Sequence, residues 1–349
     1  MSIIAAQPAH ADPAATGAAD PTASAIFWGV VVALAAVGAF VGWRLRVHRP
    51  RSVLGPARVP PTGEAWPLGV ALVGGFLALV VGSSMGLAIA ASALGLKPEA
   101  AATDESALLA ASLVGFVSGL LFAAALLAVI SRPSLVALGL SGRHLRRVVP
   151  LVAVAALLAI PWTFVVGFVT DWVYRTVDFR HPPEHDLLRT MRDAGRTVRW
   201  GAIVSAVVVA PLSEEFFFRG LVQTTIRHSL ARLFGRAPAV VPAAAAADTA
   251  PTPPAGAVSP PAASHVPAAT TDAPAPPPPA PTAWMGWVAI VLTSTLFGAV
   301  HPLWTFPIIF FLSLGLGYLY ERTGNLWASM GLHAAFNVLN VVLYLAQVS

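Results

Sequence analysis

Residues 200–226 read WGAIVSAVVVAPLSEEFFFRGLVQTTI. The stretch is long enough to cross a bilayer as one helix, which takes roughly 20 apolar residues. Yet it carries Glu214, Glu215 and Arg219 near its middle. An ionisable side chain at that depth costs about 2.5 kcal/mol or more, so its default reading is a functional site. Two later apolar stretches each hold a histidine, His301 and His333. Three membrane segments therefore converge on one chemistry.

Working outward, the whole chain is 56% hydrophobic and only 11% charged, a composition that excludes an ordinary soluble domain. Candidate spans fall near residues 24–43, 66–90, 106–131, 149–174, 200–226, 284–301, 304–320 and 325–347. No alternating pattern of outer-membrane barrel type appears, and backbone groups in lipid must be satisfied internally. The expected fold is all-α, a polytopic transmembrane helical bundle of about eight spans in contact with the lipid bilayer.

The net charge is +5, and 20 of the 21 basic residues are arginine, Lys97 being the exception. They lie mostly between spans rather than on a soluble face, which excludes nucleic acid as a partner. Arg44, Arg46, Arg49, Arg51 and Arg58 follow the first span, and Arg132, Arg143, Arg146 and Arg147 follow the third. The positive-inside rule puts both loops in the cytoplasm and both termini outside. Residues 175–199 oppose this with six arginines on the outer side, accompanied by Asp178, Glu184, Asp186 and Asp193. Asp171, near a span end, reads as interfacial.

Residues 1–23 read as a disordered tail, since they lack the basic start of a signal peptide. Residues 24–199 form the N-terminal spans, with a surface helix near 184–199 where Leu187, Leu188, Met191 and Val198 recur at helical spacing. A solvated loop is the alternative there. Residues 200–347 form the core that carries the polar groups. It is interrupted at 237–282, a segment holding 14 of the 31 prolines, expected to be a disordered Pro/Ala-rich loop. The cysteine count of zero excludes disulfides and thiolate chemistry.

Two motifs are decoys. Gly82-Ser83-Ser84-Met85-Gly86 spells a serine-hydrolase elbow, which needs a strand-to-helix turn, but it lies inside an apolar helix. Its glycines, like Gly115 and Gly119, suit close helix packing. His181-Pro182-Pro183-Glu184-His185 spells an inverted zinc motif, but consecutive prolines forbid the helix that motif requires.

Within residues 200–226, Glu215 and Arg219 stand four apart in the order that favours an ion pair. Glu214 is turned about 100° away and remains the freer carboxylate. Phe297 with His301, and His333 with Asn337, are also spaced by four, which places each pair on one helix face. Counting along the spans, Glu214 lies about 20 Å from a basic end near Arg227, His301 about 25 Å in and His333 about 12 Å in. One cavity can collect all three.

The order E-E-x-x-x-R, F-x-x-x-H, H-x-x-x-N, supported by Leu326-Trp327-Ala328-Ser329-Met330-Gly331-Leu332-His333, resembles the CPBP (Abi) family of intramembrane proteases, which includes CAAX-protein endopeptidases. The likeness covers about residues 200–343. It implies a CAAX-protease-like hydrolase acting on a membrane-associated peptide or protein, in an integral multi-pass protein of the cytoplasmic membrane. By the same resemblance Glu214 is general base on a water, helped by His301, His333 and Asn337 stabilise the oxyanion, and Glu215 and Arg219 support them. The family is also described as metalloprotease-like. A divalent metal such as zinc on Glu214, His301 and His333 is one arrangement; a glutamate-activated water without metal is the other, and the lack of an H-E-x-x-H motif leans the reading towards it. A longer gap from Arg219 to Phe297 than the family's pattern is accounted for by the Pro/Ala loop. A non-catalytic scaffold or immunity protein and a proton-coupled transporter are the competing readings; paired broken helices, which mark many transporters, are not visible.

Overall fold

The computed structural model describes residues 21–44, 66–131, 138–140, 145–182, 195–234 and 283–348. Among these residues the protein is all helix, without a strand: α1 (Pro21–Arg44), α2 (Trp66–Leu94), a short α3 (Pro98–Ala101), α4 (Glu105–Ile130), α5 (Leu145–Thr176), α6 (196–234), α7 (Ala283–Ala299), α8 (Phe306–Thr323) and α9 (Leu326–Val348). Each of the eight apolar segments is helical. Six helices are long and apolar enough to cross a membrane, while Trp28–Val41 and Trp284–Ala299 are shorter apolar helices. The chain is an integral membrane protein of the expected class, a polytopic helical bundle.

Small residues set the tightest packing. α2 and α4 run against each other along their length, and a Cβ added at Gly119 would lie 2.9 Å from the Gly75 carbonyl oxygen. Gly82 faces Ser118, and Gly115 faces Ser83. The Gly82–Gly86 stretch is thus helix interface and not an elbow. Large apolar side chains on the opposite side of α2, such as Val73, Phe76, Val81 and Ile89, are exposed, as a lipid-facing surface requires.

α6 occupies the middle of the bundle and touches α2, α4, α7, α8 and α9. On one side Phe216 and Leu221 join Leu68, Ala71, Ala123, Leu127, Tyr320, Leu326 and Met330 in a core cluster. A second cluster, built from Ile160, Leu312, Leu316, Leu332 and Phe336, ties α5, α8 and α9 together. α8 ends where Gly324 enters the left-handed region at φ 57°, its N–H donating to the Tyr320 carbonyl, and α9 starts two residues later. That tight turn sets α8 and α9 side by side.

Four helix ends differ from expectation. α6 begins at Arg196 rather than 200 and continues through Arg227 to Phe234, so residues 196–199 are its first turn and not the end of a separate surface helix. Residues 183–194, where most of that surface helix was expected, lie outside the described residues, as do the 237–282 loop and residues 1–20; Pro21–Ala23 open α1. α7 ends at Ala299, so His301 sits in the turn before α8.

Candidate active site

α6 is not a uniform α-helix. Ser205–Val209 and Phe216–Gln223 are π-helical, and the α-helical turn Ala210–Glu215 between them carries both glutamates. Such wide turns recur at functional sites. Despite the changed winding, Arg219 Nη1 donates to Glu215 Oε1 at 2.9 Å, with both side chains fully buried.

Glu215 is saturated. Its Oε1 accepts from Arg219 and, at 2.9 Å, from His333 Nδ1; its Oε2 accepts from the Ser329 hydroxyl. Arg219 is held as firmly: Nη2 donates to the Ser313 hydroxyl at 2.7 Å and the Ser313 carbonyl at 3.2 Å, and the guanidinium lies 4.5 Å over the Phe297 ring. A buried ion pair is tolerable only when further hydrogen bonds satisfy it in this way.

Glu214 is different. Its side chain keeps 16% of its surface exposed, and its Oε2 lies 3.9 Å from His333 Nε2. Because His333 Nδ1–H is committed to Glu215, its other nitrogen is the one turned to Glu214. His301 has a fixed tautomer as well: Nδ1–H donates to the Phe297 carbonyl at 2.7 Å, since a carbonyl can only accept. Its Nε2 is left as an acceptor in the neutral ring. The expected Phe297–His301 pairing therefore holds through a turn and not through a helix face, with ring centroids 4.8 Å apart.

Phe297, fully buried, is the hub of this arrangement. Its ring meets Phe218 edge-on at 4.9 Å and His333 at 5.8 Å. Asn337 takes a place beside the site rather than free within it: its Nδ2 donates to the Ala206 carbonyl at 2.7 Å, inside the first π-helical segment. Ser213, next to the glutamates, turns its hydroxyl back to Val209 and Ala210 of its own helix, which leaves it no nucleophilic role.

The structure thus brings Glu214, Glu215, Arg219 and His333 into direct contact or close approach, adds His301 across Phe297, and sets Asn337 one turn of α9 beyond. Ser313 and Ser329 were missed from sequence. One signal pointed to Ser329: it precedes His333 by the same four residues that separate His333 from Asn337. Arg227, expected at a span end, is buried and ion-paired with Glu321 of α8. Asp171 bonds Arg175 at 2.5 Å on the surface, one turn along the same helix.

Among the described residues no three His, Asp or Glu side chains are grouped so as to hold a metal ion. The Nδ1–H of His301 is engaged by a carbonyl and its Nε2 is open, the orientation a metal-ligating histidine also uses.

Compared with known proteins, residues 278–339 match the sequence model of the family described as Type II CAAX prenyl endopeptidase Rce1-like. The match agrees with the family resemblance; it contains Phe297, His301, Ser313, Ser329, His333 and Asn337, and so the second and third motifs, while Glu214, Glu215 and Arg219 lie outside it. No curated protein and no solved structure matches the chain.

Proposed function

We propose that the chain is an intramembrane endopeptidase that hydrolyses a peptide bond of a membrane-associated substrate. At the level of the family, the match supports a CAAX-protease-type membrane peptidase. The observation that carries the finer reading is the unequal state of two neighbouring carboxylates: Glu215 is buried and saturated, whereas Glu214 is partly exposed beside an imidazole.

In this reading Glu214 accepts a proton from a water molecule as its oxygen attacks the carbonyl carbon. The carbon–nitrogen bond then breaks, and Glu214 returns that proton to the departing amine. A general base placed this way contributes typically 100- to 10,000-fold in rate, roughly. His301, with Nδ1–H pinned and Nε2 open, is suited to orient the water by accepting its second hydrogen. His333 gives a hydrogen bond to the developing oxyanion when both its nitrogens are protonated. Asn337 can add the second N–H of its amide, the first being engaged by Ala206. Donors fixed in a dry site gain strength where charge develops. Glu215 and Arg219 hold His333 in place and do not touch the substrate.

The test is reconstitution of wild-type and Glu214→Gln protein in lipid vesicles with a detergent-extracted membrane fraction, followed by mass spectrometry of new peptide termini. Wild-type protein should generate termini that fall by about 100-fold or more with Glu214→Gln. Identical termini with both proteins would overturn the proposal.

A further inference from the structure

We propose that Ser329 is a positioning residue of this site. Its hydroxyl fixes the Glu215 carboxylate and, through it, the His333 imidazole whose Nε2 faces Glu214. The geometry stands on its own; its catalytic consequence rests on the peptidase reading above.

The residues on α9 are arranged for this task. Ser329, His333 and Asn337 are spaced by four, so they form one stripe along the helix, and all three reach α6: Ser329 and His333 at Glu215, Asn337 at the Ala206 carbonyl. A carboxylate can pivot about its terminal bond. Arg219 and His333 both bind Oε1, and two donors on one oxygen leave that pivot open. Ser329 closes it at Oε2. Because Ser329 and His333 belong to the same rigid helix, the carboxylate is held across both oxygens by side chains whose separation is fixed. The hydroxyl is fully buried and sits near a second acceptor, the Leu316 carbonyl at 3.3 Å. A serine needing only to satisfy itself has that option; here it serves the carboxylate.

Ser313 of α8 does the corresponding work for Arg219, but with a difference that makes the proposal quantitative. Removing the Ser313 hydroxyl leaves Arg219 Nη2 the Ser313 carbonyl. Removing the Ser329 hydroxyl leaves Glu215 Oε2 without a hydrogen-bond donor among the described residues. Loss of Ser329 should therefore be felt more strongly than loss of Ser313.

The experiment uses the full chain in lipid nanodiscs with a farnesylated, quenched-fluorescence peptide as probe, and compares Ser329→Ala, Ser329→Cys, Ser329→Thr, Ser313→Ala and Glu214→Gln. Ser329→Ala should lower kcat about 10-fold with KM little changed, Ser329→Thr should recover most of it, and Ser313→Ala should lose less than Ser329→Ala. A second readout needs no substrate: the Nδ1–H resonance of His333 in histidine-labelled protein, assigned by its loss in His333→Gln. It should shift and exchange faster in Ser329→Ala, return in Ser329→Thr and stay in place in Ser313→Ala. Should Ser329→Ala fail to fold, Ser329→Cys keeps the volume with a weaker donor and carries the same expectations. Wild-type kcat in Ser329→Ala, or in Ser329→Cys where it stands in, overturns the catalytic role, and an unmoved His333 resonance in the same variant overturns the positioning role. If neither wild-type nor Glu214→Gln protein cleaves any probe, the peptidase reading has failed, and the resonance alone decides the place of Ser329.

Discussion

Glu214 and Glu215 are neighbours in unlike surroundings, and the difference is what the proposed division of roles rests on. Glu215 meets three donors, one of them a fully buried arginine; Glu214 keeps an open edge. Neutralising Glu215 by Gln strands the Arg219 charge inside the bundle, and breaking a buried pair from one side costs about 3–5 kcal/mol. Glu215→Gln should therefore lower thermal stability in detergent sharply, whereas Glu214→Gln should leave the melting temperature near that of the wild type while removing cleavage. Equal melting temperatures for the two variants would refute this division. The Glu215–Arg219 pair was legible in sequence, because a spacing of four survives the local change in winding. Ser313 and Ser329 were not, since a serine in a membrane helix ordinarily returns its hydroxyl to a carbonyl of the preceding turn, as Ser213 does. His301 was legible as a site residue but not as a turn residue. Its apolar flanks extend past the helix end, and Pro302 was the punctuation that marked the stop.

At the scale of the element, α6 does what no single residue can. Two π-helical segments flank the turn that bears the glutamates, and such winding bonds i to i+5 in place of the usual i to i+4. Ala206 is in the first of them, and its carbonyl is the one Asn337 binds. The side chain implied by resemblance as an oxyanion donor also clasps the wide turn. Nothing in composition announces a π turn, so this duty could not be read beforehand, although the H-x-x-x-N spacing correctly placed Asn337 on the stripe facing the site. The clasp can be tested by one substitution. Asn337→Asp sets an acceptor against the Ala206 carbonyl and should destabilise the fold by about 1–3 kcal/mol, seen as a lower melting temperature together with reduced cleavage. A variant that loses cleavage with an unchanged melting temperature would show that Asn337 acts on the substrate alone.

Across the whole molecule, the bundle is organised around α6, and its ends explain how a long insertion is accommodated. The ring of Phe234 at the end of α6 lies 5.8 Å from that of Trp284 at the start of α7. Just inside, Arg227 of α6 pairs with Glu321 of α8, and Gly286 of α7 faces that pair so closely that a Cβ there would lie 2.9 Å from Glu321 Oε1. Three helix ends are thus fastened to one another by described residues alone. Composition alone marked residues 237–282 as unlike the spans, whereas the buried Arg227–Glu321 pair was hidden because Arg227 looked like an ordinary basic residue at a span boundary. Since the chain leaves and re-enters at adjacent points, replacing 237–282 with a six-residue Gly/Ser loop should preserve both the fold and cleavage. The shorter loop has less entropy to lose on closure, by about 1–2 kcal/mol from the logarithmic length dependence, so the melting temperature should hold or rise. The comparison is thermal unfolding and probe cleavage of the shortened and full chains in the same nanodiscs. A shortened protein that folds but no longer cleaves would mean that the segment itself contributes to the site; one that fails to fold would mean that the Arg227–Glu321 fastening is insufficient.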